Sequence, residues 1–263
     1  MLGSHSIVDL IDAHGLLGPD ILISHATNLT QSDVEKMTKA GAFVSSTPDT
    51  ELQMALGYPV CFREDMKDIC SLGIDCHSNN SADIITQMRL GLQAERARRN
   101  EPLIEKDKAP RRLDLSVQDV FRLGTIQGAR AINMQDQVGS LEEGKLADIV
   151  IFDALSPAMI CAAEHDPVAA IVLHSSVRDI DTVIVDGRIR KRGGKLLPVN
   201  IDGSAAAADI GKNRVEWRDV AVQLLKSRER VEEATRRNQA NDHVRLRETL
   251  AARVFHINPD NIV

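Results

Sequence analysis

Short apolar runs alternate with amphipathic stretches over the first hundred residues of the chain. Residues 20–25, 42–46 and 72–75 are apolar and partly β-branched, which predicts three short strands. Thr30–Ala40 and Ala82–Arg99 carry apolar side chains at intervals of three and four, which predicts two helices, the first with Thr30 as its N-cap. Because strand and helix alternate, we expect parallel βα units.

The hydrophobic pattern changes after Gly139. Residues 147–152 and 181–185 are β-branched runs of strand length. Asp186-Gly187 lies directly between two such runs, and this dipeptide is a strong signal for a two-residue hairpin turn. The region therefore predicts a small antiparallel sheet.

The remaining segments complete the predicted organisation. Asn100–Arg112 is polar and contains two prolines, which favours a loop, and Ser116–Ile132 has the pattern of a helix that begins at a serine cap. A linker at Ser204–Ala208 precedes a charged helix with a narrow apolar stripe. We therefore predict three regions: residues 1–135, 136–200 and 201–263.

Composition excludes several classes of function. The 263 residues are 43% hydrophobic and 27% charged, as in ordinary globular proteins. A net charge of −6 and 3% aromatic residues argue against nucleic-acid binding, which needs a positive surface or stacking side chains. The chain has no run of 18 apolar residues, no basic-then-apolar start and no CxxC pair among its four cysteines. We expect a cytoplasmic protein without membrane or nucleic-acid partners.

His25 and Asp75 are the first candidates for chemistry, because each stands at the end of a predicted βα strand. Reactive side chains collect at the carboxyl ends of parallel strands, where the connecting loops converge. The structural alternative is that His25 satisfies a buried polar contact and that Asp75 caps the next helix.

The loop after the third predicted strand is rich in polar side chains. Gly73–Asn80 offers a carboxylate, an imidazole and amides within a few residues, which suits a metal or a polar substrate. Ser78 and Asn79 are the candidates for substrate contacts in it. The alternative is an ordinary strand-to-helix turn whose side chains bind nearby backbone groups.

Four ordered segments resemble the carboxyl-terminal half of the metal-dependent amidohydrolases, in the branch that contains cytosine, S-adenosylhomocysteine and guanine deaminases and triazine hydrolases. Residues 15–29 resemble the sixth barrel strand with its histidine, and residues 45–54 resemble the loop after strand seven. Residues 73–80 resemble the strand-eight aspartate motif, and residues 139–151, with 185–188 downstream, resemble the accessory β-sandwich.

This resemblance implies a fold class and a reaction. The fold would be α/β: the equivalents of strands six to eight of a (β/α) barrel, part of a small β-sandwich, and a carboxyl-terminal helical tail. Asp75 would bind a divalent zinc or iron ion and accept a proton from the attacking water, and His25 would hydrogen-bond that water or the substrate. Glu51, Ser78 and Asn79 would contact a small N-heterocyclic or amide-like substrate, whose non-peptide carbon–nitrogen bond is hydrolysed, and this chain would carry an incomplete form of that site. The structural alternative for Glu51 is an exposed salt-bridge partner.

The chain also departs from the family pattern. The family has a His-x-His pair on strand one and a histidine on strand five, and no two histidines here lie two residues apart. One remaining ligand cannot hold a catalytic ion, so we expect no stoichiometric metal. We also expect self-association through open sheet edges and exposed apolar side chains, with Ile21, Ile23, Phe43 and Ile74 as candidates. The alternative function is a non-catalytic remnant that acts as a binding protein.

Overall fold

The computed structural model describes residues 6–201 and 212–238. Its α-helices are α1 Ile7–Ala13, α2 Gln31–Ala40, α3 Pro48–Gln53, α4 Ile84–Ile104, α5 Val117–Leu123, α6 Ile126–Ala131, α7 Ala162–His165, α8 Pro167–Ala169 and α9 Trp217–Asn238. Its strands are β1 Leu22–Ser24, β2 Phe43–Ser46, β3 Cys70–Leu72, β4 Ile149–Phe152, β5 Ile180–Val185, β6 Arg188–Arg192, β7 Lys195–Leu196, β8 Val199–Asn200 and β9 Arg214–Val215. A 3₁₀ turn lies at Val60–Phe62 and a π-helical turn at Ala170–His174.

The predicted parallel sheet is present, with the strand order β1-β2-β3. Leu22 pairs with Phe43 and Val44 pairs with Cys70, both in parallel register. Helix α2 connects β1 to β2, and its capping box is formed by Thr30 and Asp33, as the sequence predicts for the cap. Within the described residues these three strands form an open sheet, so the fold is part of an α/β architecture and not a closed barrel.

The third strand ends earlier than predicted. We expected a strand over residues 72–75, but β3 ends at Leu72, which pairs with Ser46 at the last position of β2. The N–H of Gly73 still donates to the carbonyl of Ser46, at 2.8 Å, and the chain then leaves the sheet. A Cβ at position 73 would lie 2.4 Å from the Ser45 hydroxyl, so any residue other than glycine would require the Ser45 side chain to move.

Two predicted helix limits were wrong. The predicted loop from residue 100 begins later, because α4 continues to Ile104, and Glu95 stabilises its last turns by ion pairs with Arg98 and Arg99. The single helix predicted over 116–132 is two helices, α5 and α6, which Gly124 separates. A Cβ at Gly124 would lie 2.9 Å from the Met88 sulfur, so this glycine allows the break to pack against α4.

The small antiparallel sheet is also present. Strand β4 pairs with β5, and β5 pairs with β6 across the predicted Asp186-Gly187 turn. Both turn residues have positive φ, 49° and 71°, as the mirror-image turns of tight hairpins require. The chain divides into two compact units, Met1–Lys195 and Leu196–Val263. In the second unit the described residues form the β8–β9 pair and helix α9, while the predicted linker Ser204–Ala208 lies outside the described residues.

The core of the first unit lies around the parallel sheet and fixes where its strands end. Val44 and Cys70 are fully buried within the sheet, and Met37 of α2 and Leu92 of α4 are fully buried against the same cluster. The strand ends, and the loops that follow them, are therefore held in place by apolar packing.

The described helices and the four cysteines bear on the membrane and disulfide expectations of the sequence. None of the helices in the described ranges combines the length and the apolar character that a membrane span needs. Cys61, Cys70, Cys76 and Cys161 are all free thiols.

We expect the purified chain to self-associate through the open edge of β1. Ile21, Ile23, Phe43 and Ile74, the predicted exposed candidates, are only half-buried, whereas Leu22 on β1 is 43% exposed. Leu22→Lys places a charge on an edge strand, which opposes strand pairing between molecules. We therefore expect a mass above the monomer for the unmodified chain by light scattering, and a lower one for this variant.

The matched control for this prediction is Leu141→Lys. Leu141 is 78% exposed but lies outside any strand, so its replacement should leave the mass unchanged. A clean monomer for the unmodified chain would contradict the prediction.

Candidate active site

His25 follows the last residue of β1 and is fixed by its backbone. Its N–H donates to the carbonyl of Ser45 on β2, at 3.0 Å. The φ angles of His25 and Ala26 are 65° and 56°, in a region that residues other than glycine rarely adopt. Such local strain persists only where the surrounding structure imposes it, and it clusters at functional sites.

Thr47 and Glu51 lie beside the imidazole of His25. Thr47 Oγ1 lies 2.8 Å from His25 Nδ1, and Glu51 Oε1 lies 3.6 Å from the same nitrogen. The backbone N–H of Thr47 donates to Glu51 Oε1 at 2.8 Å. Thr47 is the residue before α3, but its hydroxyl makes no capping bond to that helix. These contacts place the start of α3 against the end of β1.

Glu51 is a buried carboxyl group in an unfavourable setting for a charge. Its side chain is 0% exposed, which rules out the surface ion pair that its sequence context equally allowed. Burial raises its pKa to about 7, with the hydrogen bond from Thr47 opposing this shift and the negative charge of Asp75 adding to it. Within the described residues, Glu51 Oε2 has no hydrogen-bond partner.

Asp75 comes three residues after β3, and its negative charge is one of the causes that raise the pKa of Glu51. Its φ is 57°, so it shares the left-handed backbone conformation of His25. The Asp75 side chain is exposed. Glu51 thus lies in contact with His25 and within electrostatic range of Asp75, which links two of the residues selected from the sequence.

Ser78 and Asn79 lie in the exposed turn after Asp75. The Ser78 hydroxyl donates to Cys76 Sγ at 3.2 Å, and Asn79 Oδ1 lies 3.5 Å from that hydroxyl. These contacts stay inside the loop and do not reach His25. The structure therefore leaves both side chains facing outward, where their predicted role in substrate binding stays a prediction.

Asn80 anchors this loop, although nothing in its sequence context distinguished it from its neighbours. Its Nδ2 donates to Thr50 Oγ1 at 2.6 Å and to the Ile74 carbonyl at 3.4 Å, and its Oδ1 accepts from Gln53. Asn80 therefore ties the Asp75 loop to helix α3. Only the structure distinguishes Asn80, because it is buried while the polar residues before it are exposed.

The described residues do not form a metal centre. They contain no group of three or more histidine, cysteine, aspartate or glutamate side chains placed to hold one ion. Asp75 is the residue that the family resemblance assigns to a metal, and one carboxylate does not compete with water for a catalytic ion. We therefore assign no chemical step to a metal.

Comparisons with known proteins agree with the family suggested by the sequence motifs. The profile of the amidohydrolase family matches residues 3–190. The 5-methylthioadenosine/S-adenosylhomocysteine deaminase of Pyrococcus abyssi is 29% identical over 197 residues, which are 74% of this chain and 43% of that protein. The 5'-deoxyadenosine deaminase of Methanothermobacter thermautotrophicus is 30% identical over 191 residues, 72% of this chain and 42% of that protein.

Solved structures show the same partial likeness. An adenosine deaminase from Xanthomonas campestris with bound zinc aligns with a TM-score of 0.63 and 22% identity, over 79% of this chain and 45% of that chain. The atrazine chlorohydrolase of Arthrobacter aurescens, complexed with zinc, aligns with a TM-score of 0.63 and 19% identity, over 79% and 44%. The chain spans less than half the length of these relatives. Since the family profile covers more than half of its residues, the chain belongs to the amidohydrolase family.

Proposed function

We propose that this chain carries the acid–base part of a site that hydrolyses a carbon–nitrogen bond in a small N-heterocyclic substrate. The observation that supports this most directly is the arrangement of His25, Glu51 and Asp75 after neighbouring parallel strands. The family membership adds to it, since relatives are deaminases of adenosine-type nucleosides.

In this proposal Asp75 moves the proton. A water molecule attacks the sp² carbon that carries the leaving nitrogen, and an Asp75 carboxylate oxygen accepts a proton from that water. The π electron pair of the attacked C=N bond passes to the adjacent ring nitrogen, which takes up the second proton of the water. The Asp75 carboxyl group returns the first proton to the leaving nitrogen, the bond from the carbon to that nitrogen breaks, and ammonia departs while a carbonyl group remains. A positioned acid–base group of this kind contributes about 10²–10⁴ to a rate. The exposed position of Asp75 gives it the access that this role needs.

His25, Ser78 and Asn79 bind and orient in the same proposal. The His25 ring is held by Thr47 and would form a hydrogen bond with the attacking water or the ring nitrogen of the substrate. Ser78 and Asn79 offer hydroxyl and amide groups in the turn beside Asp75. Glu51 was predicted to touch substrate as well, but its complete burial favours an effect through His25.

The experiment is an ammonia-release assay on the 263-residue chain, run both without and with added zinc. The panel contains methylthioadenosine, an aminopyrimidine, guanine and an aminotriazine, because relatives act on purine nucleosides and a triazine. We expect release from at least one purine or triazine substrate, and no release from a peptide amide. Release from the peptide alone would contradict the proposal.

A second candidate function is a binding protein without turnover. The observation that favours it is that the described residues lack a metal-ligand set. The same panel separates the two, since calorimetric binding of a heterocycle without ammonia release would support the second candidate and contradict the first.

A further inference from the structure

Three groups meet at one ring nitrogen of His25. The hydroxyl of Thr47 lies at hydrogen-bond distance from Nδ1, 2.8 Å, and the carboxyl oxygen Oε1 of Glu51 lies 3.6 Å from it. The backbone N–H of Thr47 holds that same carboxyl oxygen at 2.8 Å. Thr47 thus contacts the His25 ring through its hydroxyl and the Glu51 carboxyl group through its backbone N–H.

We propose that Thr47 and Glu51 are a positioning pair that keeps the proton of neutral His25 on Nδ1, which leaves Nε2 as a hydrogen-bond acceptor for the reaction. The use of that acceptor rests on the proposed function and selects one of its two options for His25, a hydrogen bond from the attacking water to Nε2. The position of the proton does not rest on it.

Electrostatics decides which nitrogen carries the proton. An ionised carboxyl group only accepts hydrogen bonds, and Glu51 is fully buried with one donor on Oε1 and none, within the described residues, on Oε2. The His25 ring is the basic group found within 4 Å of this carboxyl in the described part of the chain. A proton on Nδ1 points a positive dipole at the carboxylate, whereas a proton on Nε2 turns the Nδ1 lone pair toward it.

The hydroxyl of Thr47 fits this arrangement. As the residue before α3, Thr47 would ordinarily use its side chain to cap the helix, but no capping bond is made. The hydroxyl instead lies against His25, where its oxygen can accept a hydrogen bond from the Nδ1–H group. The diversion of a capping group to the imidazole is independent of the position of Glu51.

The pair is held rigidly. The Glu51 N–H donates to the Thr47 carbonyl at 3.0 Å, which closes the first turn of α3. Asn80 bonds to Thr50 in the same turn, so the Asp75 loop and the pair share one support. A pair that is held in place can fix the tautomer of His25 before any substrate binds.

The test reads the ring nitrogens of His25 in the resting chain. The 263-residue chain is labelled with ¹⁵N-histidine, and long-range ¹H–¹⁵N spectra are recorded at pH 8.5, where Glu51 is ionised because its pKa is about 7. The His25 signals are those lost in His25→Gln. We expect Nδ1 to be the protonated nitrogen. A proton on Nε2 in the unmodified chain would overturn the proposal without any further variant.

Variants then separate positioning from support of the fold. Glu51→Gln keeps the shape but removes the charge, so we expect the proton to move toward Nε2 and the two ¹⁵N shifts to exchange. Glu95→Gln is the matched control, because Glu95 is also a buried glutamate but bonds to Arg98 and Arg99. An unchanged tautomer in Glu51→Gln, or an equal change in Glu95→Gln, would contradict a positioning role.

A second pair of variants covers the case in which Glu51→Gln fails to fold. Thr47→Val removes the hydroxyl that meets Nδ1, and Thr47→Ser restores it. We expect the tautomer to change in the first and to return in the second. The same change in both would assign the effect to packing and overturn the proposal.

These spectra distinguish this inference from the proposed function. The tautomer is read without substrate, so an Nδ1 proton in a chain that releases no ammonia contradicts the function and leaves the pair in place. Where turnover is found, Glu51→Gln should lower kcat about 10-fold or more. The loss stays below the roughly 10⁴-fold effect of a wrong tautomer in the serine-protease triad, because the hydroxyl of Thr47 remains.

Discussion

Asp75→Asn should lower the rate of ammonia release from the best substrate by about 10²–10⁴-fold, the usual contribution of one acid–base group. Asparagine keeps the shape of the side chain but cannot accept a proton from water and pass it on. Because Asp75 is exposed and lies in a loop that Asn80 anchors, the fold should be retained. The measurement is the initial rate of ammonia release, with circular dichroism as the check on folding.

The control for this prediction is Asp136→Asn. Asp136 is an exposed carboxylate in the loop after α6, so the same change of charge should leave the rate within about twofold. A folded Asp75→Asn variant with an unchanged rate would remove Asp75 from the mechanism. The variant has a second readout in the pKa of Glu51. Burial is the main cause that raises this pKa, and the negative charge of Asp75 adds to it, so the loss of that charge should lower the pKa.

The free energy of unfolding of Glu51→Gln should increase relative to that of the unmodified chain as the pH rises from 5 to 8.5. Burial raises the pKa of Glu51 from 4.5 to about 7, so between these values the folded state holds a proton that the unfolded state has lost. The contribution to stability is complete below the unfolded pKa and is lost as the pH rises through the folded pKa. Over this interval the unmodified chain loses about 2–3 kcal/mol that the glutamine variant keeps.

Denaturant unfolding at the two pH values measures this difference, and Glu95→Gln gives the opposite control. Burial disfavours the charge of Glu95, but hydrogen bonds from Arg98 and Arg99 outweigh it and hold its pKa below the usual value. Its stabilising effect is therefore lost only as the pH falls through that low folded pKa, and Glu95→Gln should destabilise the chain equally at pH 5 and 8.5. A Glu51→Gln difference that does not change with pH would show that Glu51 ionises normally.

Regular local patterns allowed much of the framework to be predicted. The alternation of β1, α2 and β2, the cap at Thr30 and the hairpin at Asp186-Gly187 all depend on residues within a few positions of each other. The predicted strand ends made His25 and Asp75 candidates, and the family motifs added their roles. The predictions for the end of β3 and for a single helix over 116–132 were wrong. Both features depend on distant partners, Ser46 for the strand and Met88 for the break at Gly124.

The sequence by itself determined the parallel βα order, the family motifs and the position of His25 directly after a strand, because helix and strand periods, caps and tight turns depend on neighbouring residues. Only the tertiary structure decided that Thr47 and Glu51 lie against the His25 ring, although they come 22 and 26 positions after His25 in the chain. It also decided that Glu51 is fully buried. Contacts between separate strand ends follow from how the whole sheet packs, and the free energy of burying a carboxyl group depends on that packing and not on its neighbours in the chain.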